Sequence, residues 1–230
     1  MQLIILIRLV CLILTGRFSM NNTSASLTKR ICFMLVGNLL LGLSVAMLRL
    51  TSFGTDPFNA MNLGVSLHLP ISYASYQMLF NIALFIPIFL LDRRSFGVGA
   101  LVNMLFLGYF VEFFLLIFSG FGITTEGMYG SLPARILLMI AAIVLLCFSC
   151  GLYMECDLGA APWDRLAMVI ENLSHGRIPF RYARMTYDIL AILVAYFTGA
   201  TIGVATLVVG FFTGPLVSFF RTEIIRKYIL

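Results

Sequence analysis

Few residues in this chain are of a type that does chemistry, and most of them gather around two short stretches. Phe53-Gly54-Thr55-Asp56-Pro57-Phe58-Asn59 and Leu158-Gly159-Ala160-Ala161-Pro162-Trp163-Asp164 lie 105 residues apart. Each has a glycine three residues before a proline, an aromatic ring after it, and an amide or carboxylate next. Asp188, Glu112, Asn81 and Asn103 fall inside otherwise apolar runs, where an ionisable or amide side chain is costly enough to be a functional candidate. Asp188 sits close to the repeat position of Asn81, allowing one residue of slip. Asp56, Asn59, Asn81, Glu112, Asp164 and Asp188 are therefore the candidate substrate- or ion-binding residues. In this reading Asp188 takes a proton or cation, coupled to a solute held near Asp56, Asn59, Asp157 and Asp164. The competing reading pairs Asp188 with Arg184 at i−4, or with Arg181, as an anchor of its helix, and leaves Glu112 hydrated near an interface.

Other chemistries find little support. Cys147-x-x-Cys150 has the spacing of a redox or metal pair, but it sits in an apolar run with no histidine or second cysteine pair beside it, which favours helix packing. Five cysteines, an odd number, give no disulfide framework. There is no metal-ligand cluster, serine elbow or phosphate-cradling loop, so neither an enzyme nor a metal or cofactor is expected. The two histidines, His68 and His175, are placed on opposite sides of the membrane.

The elements that must position these residues are membrane helices. The 230-residue chain is 61% hydrophobic and 11% charged, with a mean hydropathy of +1.03, whereas a water-facing surface needs roughly 25% charged residues. Its net charge of +5 is not gathered into one face or tail, which argues against a nucleic-acid partner. Six runs are long enough to span: residues 31–50, 71–91, 97–118, 134–155, 182–199 and 202–220. Between them, residues 60–69 and 163–173 are too short to cross. Pro57 suits a first helical turn and Asp56 an N-cap. Residues 1–30 form an extension whose apolar part, 1–15, is short of a span and is given no functional weight.

Basic residues orient the core. With the start of the first span cytoplasmic, Arg17, Lys29, Arg30, Arg93, Arg94, Arg165, Arg177, Arg181, Arg184, Arg221, Arg226 and Lys227 lie inside, and Arg49 and Arg135 lie outside, a positive-inside pattern. Both ends of the six-span core then face the cytoplasm, with residues 221–230 as a basic tail.

The repeat extends beyond the glycine–proline motif. Residues 97–114 overlay 203–220 without a gap, with nine identities in eighteen positions. Repeat 1 (31–118) and repeat 2 (134–220), joined by an outer loop at 119–133, each hold three spans and a short proline-started helix. Three is odd, so the second repeat is inverted relative to the first. The expected fold is all-α and polytopic, with the backbone breaks at Gly54, Pro57, Gly159 and Pro162 entering from opposite sides. Non-helical backbone at membrane depth needs protein or a wet cavity around it, and a helix N-terminus at such a break favours negative charge. Two breaks could thus frame one central site. Alternatively the short helices lie in the interface, with Phe58 and Trp163 as headgroup anchors.

At Gly151-Leu152, Leu158-Gly159, Ala161-Pro162-Trp163-Asp164, Gly203 and Gly214 the chain resembles the YczE/YitT-like family of bacterial integral membrane proteins, a largely uncharacterised group. The resemblance covers roughly residues 31–220. It implies a multi-spanning protein of the bacterial inner membrane and carries almost nothing on substrate. In the first half Phe58-Asn59 stands where the second has Trp163-Asp164, so the two motifs need not have equal roles.

The leading functional expectation is a small secondary transporter for an unidentified solute. Alternatives are a solute-binding component docked to an energising partner through the basic connector Arg177–Arg184, or a non-transport accessory factor. The expected partners are the lipid bilayer and a small molecule or ion. Gly199-x-x-x-Gly203 and Gly210-x-x-x-Gly214 permit close helix packing and leave a homodimer possible but unsupported.

Overall fold

The computed structural model describes residues 23–91, 97–124 and 132–225, with side chains from residue 27. The expectations made for the N-terminal run, Arg17, Arg93, Arg94, Arg226 and Lys227 lie outside those residues. Within them the regular elements are helices: α1 (Thr23–Thr51), α2 (Pro57–Ser66), α3 (Tyr73–Leu91), α4 (Val98–Gly120), α5 (Leu132–Glu155), α6 (Pro162–Leu173), α7 (Phe180–Phe197) and α8 (Val204–Phe219). A π-helical turn, Phe220–Ile225, continues α8.

Five helical stretches are long and apolar enough to cross a membrane: Leu27–Thr51, Tyr73–Leu91, Val98–Gly120, Leu132–Glu155 and Val204–Ile225. They carry an apolar outer face, with Leu90, Leu116 and Leu137 about 70% exposed, which suits lipid rather than water. The chain is a multi-pass helical membrane protein. At 18 residues, α7 is about 27 Å long, but Arg181, Arg184 and Asp188 make it less apolar than those five. The ten and twelve residues of α2 and α6 reach only about 15 and 18 Å, short of the roughly 30 Å hydrocarbon core.

The first long helix lies antiparallel along the fifth. At one end Arg30 Nε donates to the Cys156 carbonyl (2.8 Å) and its Nη2 pairs with Asp157 (3.2 Å). At the other, Arg135 donates to the Thr51 carbonyl through Nε (2.9 Å) and Nη2 (2.7 Å). Gly37 lets the two helices meet, because a Cβ there would sit 2.9 Å from Tyr153 Cβ. α4 packs on α1 and α8 on α5, while α2 lies against α7 and α6 against α3. Each short helix therefore packs on a long helix from the other half of the sequence.

The breaks before α2 and α6 have matching backbones. Ser52 and Asp157 are left-handed (φ 57° and 52°), as are Gly54 and Gly159 (φ 92° and 93°), a conformation that costs a glycine little. Each break docks on the start of a distant helix: Ala205 N donates to the Phe53 carbonyl (2.9 Å) and Gly99 N to the Leu158 carbonyl (2.7 Å). The approach is possible because Gly203 and Gly97 carry no Cβ; one at either would overlap the same carbonyl oxygen.

Candidate functional site: a cavity between the two breaks

Both breaks lead into the middle of the molecule. Pro57 and Pro162 each open a helix, where a missing N–H costs nothing. Asp56 caps α2, its Oδ1 accepting from Asn59 N at 3.1 Å, whereas Ala161 gives α6 no side-chain cap. The aromatic residues that follow meet each other: the Phe58 and Trp163 rings are 4.8 Å apart, and Tyr187 stands edge-on to Trp163 at 4.7 Å. Phe58 and Trp163 are buried. The headgroup-anchor reading is thereby corrected, because buried rings in tilted contact across the two halves are not free to sit among lipid headgroups.

Around this contact lies an internal cavity of about 40 Å³, room for a few waters or a small ion. All eight helices contribute to its wall. Its polar lining is Asp56, Asn59, Asn81, Asn103, Asp164, Arg184 and Thr213. A constriction bordered by Cys150, Asp164, Arg184, Phe180, Thr213 and Val217, too tight for a water molecule, adjoins it. Phe180 and Val217 also edge a surface groove of about 340 Å³ beside Arg165, Glu171 and Arg221.

Arg184 organises one side of the cavity. Its Nη1 donates to Asp164 Oδ1 and its Nε to Asp188 Oδ2 (3.0 Å). Asp164 Oδ2 accepts from the Tyr153 hydroxyl, and Cys150 Sγ lies 3.8 Å from the same oxygen. Asp188 Oδ1 accepts from Trp163 Nε1 at 3.0 Å, and the Tyr187 hydroxyl donates to the Trp163 carbonyl at 2.8 Å. A single guanidinium thus ties the α6 motif to α7, with both carboxylates saturated by donors, as a buried ion pair requires. Arg184, grouped by its sequence position with the basic connector, is largely buried here and paired with two carboxylates. Asp188 is held by the Arg184 pairing, the competing reading given above.

The other side is built from amides. Asp56 Oδ2 accepts from Asn59 Nδ2 (2.6 Å) and from Thr55 Oγ1 (3.3 Å). Asn59 Oδ1 accepts from the Tyr73 hydroxyl and from Gln77 Nε2 (3.1 Å). The Arg49 guanidinium stacks over the Tyr73 ring at 3.7 Å. Asn103 Nδ2 donates to Asn38 Oδ1 (2.7 Å), and Asn38 in turn to the Met34 carbonyl (2.9 Å). Gln77 Oε1 and Arg49 Nε and Nη2 are buried without a hydrogen-bond partner, and so are both amide atoms of Asn81, which is 1% exposed and borders the cavity.

Of the candidates read from the sequence, Asp56, Asn59, Asn81 and Asp164 come together at the cavity, and Asp188 stands directly behind Arg184. Glu112 does not join them; its Oε1 accepts from Ala74 N (3.0 Å) at the start of α3. Asp157 is also elsewhere, with its side chain 90% exposed beside Arg30. Gly54 and Gly159 are left-handed, and Pro57 and Pro162 begin the short helices that follow them. Sequence reasoning missed Asn38, Gln77, Tyr73 and Tyr153. The two amides carry the signal used for Asn81, a polar group inside an apolar run, but the tyrosines carry none. Among the described residues no group of histidine, cysteine and carboxylate side chains is arranged to hold a metal ion.

Known proteins similar to this chain are uncharacterised bacterial proteins, one of them named as a membrane protein. The chain is 23% identical over 194 residues to the uncharacterised protein YyaS of Bacillus subtilis, covering 84% of this chain and 93% of the relative. It is 25% identical over 169 residues to the uncharacterised membrane protein YczE of the same organism, covering 73% and 74%. An uncharacterised protein of Haemophilus influenzae is 25% identical over 200 residues, covering 86% of each. No solved structure matches significantly. The resemblance to YczE read from the Ala161-Pro162-Trp163-Asp164 region therefore holds across most of the chain. A family model matches residues 28–222, and the chain belongs to that family, DUF6198, a family of unknown function.

Proposed function

We propose that this protein is a small secondary transporter whose solute passes through the cavity between the two glycine–proline breaks. The observation that carries the reading is the convergence of two interrupted backbones, from opposite ends of an antiparallel helix pair, on one polar space. Transporters built on inverted repeats place their sites at such discontinuous helices, where the termini of half-helices meet near the bilayer midplane.

The reading takes α7 as the sixth span and the two halves as inverted copies. Its support is reciprocity. Arg30 binds the Cys156 carbonyl as Arg135 binds that of Thr51, and the Phe53 carbonyl meets Ala205 as that of Leu158 meets Gly99. Phe58 and Trp163, themselves equivalent, touch each other. Exchange of this kind is what a twofold axis produces. Because α1 and α5 are antiparallel, the axis lies across the helices, in the membrane plane. The excess of basic residues at the start of α1 and in the α6–α7 connector supports a cytoplasmic side for those ends in a bacterial inner-membrane protein. The alternative of a capture subunit docking through Arg177–Arg184 is weakened by the burial of Arg184.

Thr55 and Ala160 lie within the two breaks and are both buried. On a background without native cysteines, Thr55→Cys is expected to react with an impermeant thiol reagent from outside cells. Ala160→Cys is expected to react from the cytoplasmic face of inverted vesicles. Labelling of both from one side, or of neither from any side, would remove the alternating-access reading.

A further inference from the structure

The charges around the cavity do not balance, and this says what class of ligand the site takes. The ionisable groups facing it or its wall are Asp56, Asp164, Asp188, Arg184 and, behind the Tyr73 ring, Arg49. Three carboxylates against two guanidinium groups leave one negative charge. The neutral groups packed among them, Tyr73, Tyr153, Tyr187, Cys147 and Cys150, do not alter that sum. Glu112 faces the backbone at the start of α3 instead.

One of the three carboxylates, unlike the two that share Arg184, has no ion pair. Arg184 neutralises one of its two carboxylates outright, and both receive further donors from Tyr153 and Trp163. Asp56 has neutral donors only: Asn59 N, Asn59 Nδ2 and Thr55 Oγ1. Among the described residues no basic side chain reaches ion-pair distance of it, and it is 8% exposed. A carboxylate held this far from water without a counter-charge is expensive. The positive end of α2 offsets part of its charge, which favours a monovalent over a divalent ion.

Asn81 supplies the independent observation. It lines the same cavity from α3, is 99% removed from solvent, and has neither amide atom bonded. An unbonded buried amide is costly, and a carbonyl oxygen is a good ligand for a hard cation. Resting on the transporter reading for its setting, we infer that the cavity binds a small monovalent cation, with the size of an alkali ion or ammonium, ligated by the Asp56 carboxylate and the Asn81 amide oxygen.

The test is the thermal stability of the purified full chain in lithium, sodium, potassium or ammonium chloride, with N-methylglucamine chloride keeping ionic strength constant. At about tenfold excess over the dissociation constant, at least one cation should raise the melting temperature by roughly 3–6 °C, saturably. Asp56→Asn keeps the N-cap and should lose the shift. Asn81→Leu should lose it too, while melting higher than the parent in cation-free buffer because an unbonded amide has gone. Asp157→Asn, at the exposed Arg30 pair, should keep it. No shift with any of the four cations, a shift that survives in Asp56→Asn, or one that follows chloride when gluconate replaces it would each overturn the inference.

Sided labelling separates this from the transporter reading. Alternating access of Thr55→Cys and Ala160→Cys without cation stabilisation sinks the cation site and leaves the transporter. Cation binding with one-sided labelling does the reverse.

Discussion

Arg184 carries the most consequence of any residue here. It holds Asp164 and Asp188 together, so its removal leaves two buried carboxylates facing each other. Breaking a buried pair from one side costs about 3–5 kcal/mol, and Arg184→Met is expected to show that loss as a lowered melting temperature in detergent. Asp164→Asn and Asp188→Asn added to Arg184→Met should recover most of it; a stable single variant would contradict the network. In the sequence, Asp188 stood out because a carboxylate inside an apolar run is rare. Arg184 did not, because it reads as the last of a basic series with Arg177 and Arg181. The i,i+4 spacing of Arg184 and Asp188 was visible. The contact with Asp164, across a turn and two helices, is set by packing and has no sequence signature.

Among the elements, the breaks are held by space rather than by conformation alone. Gly97 and Gly203 have extended backbones (φ −158° and −146°) that any residue adopts. What forbids a side chain is the Leu158 or Phe53 carbonyl lying against them. Gly97→Ala and Gly203→Ala should each destabilise by about 1–3 kcal/mol through overpacking. Gly120→Ala, with nothing near its Cβ position, should be neutral or slightly stabilising. Equal effects at all three positions would mean that the breaks do not dock as described. The repeat of these glycines was legible, since residues 97–114 and 203–220 share half their identities, and so was the start of each short helix at its proline. The exchange was not: a span's own sequence marks which face is apolar but not which half of the protein covers it. Hence the close packing of α2 on α7 and of α6 on α3 could only be found in three dimensions.

At the scale of the whole molecule, composition settled the class, and five long apolar helices agree with it. α7 falls short of them because it carries three charges, of which Arg184 and Asp188 face the interior network beside the cavity while Arg181 is exposed. The choice between a central site and interfacial helices could not be made from the motif, because an aromatic ring after a proline suits a headgroup region as well as a packed core. It turns on Phe58 and Trp163, which meet under eight helices instead of lying apart at two surfaces. Trp163 is the only tryptophan in the chain, so its fluorescence reports this position without labelling. The most direct test is therefore quenching of Trp163 in lipid vesicles by aqueous acrylamide and by lipids brominated near the headgroup. A buried central site predicts emission that resists both quenchers. Efficient quenching by the shallow-brominated lipids would put the indole at the membrane surface and contradict the central cavity.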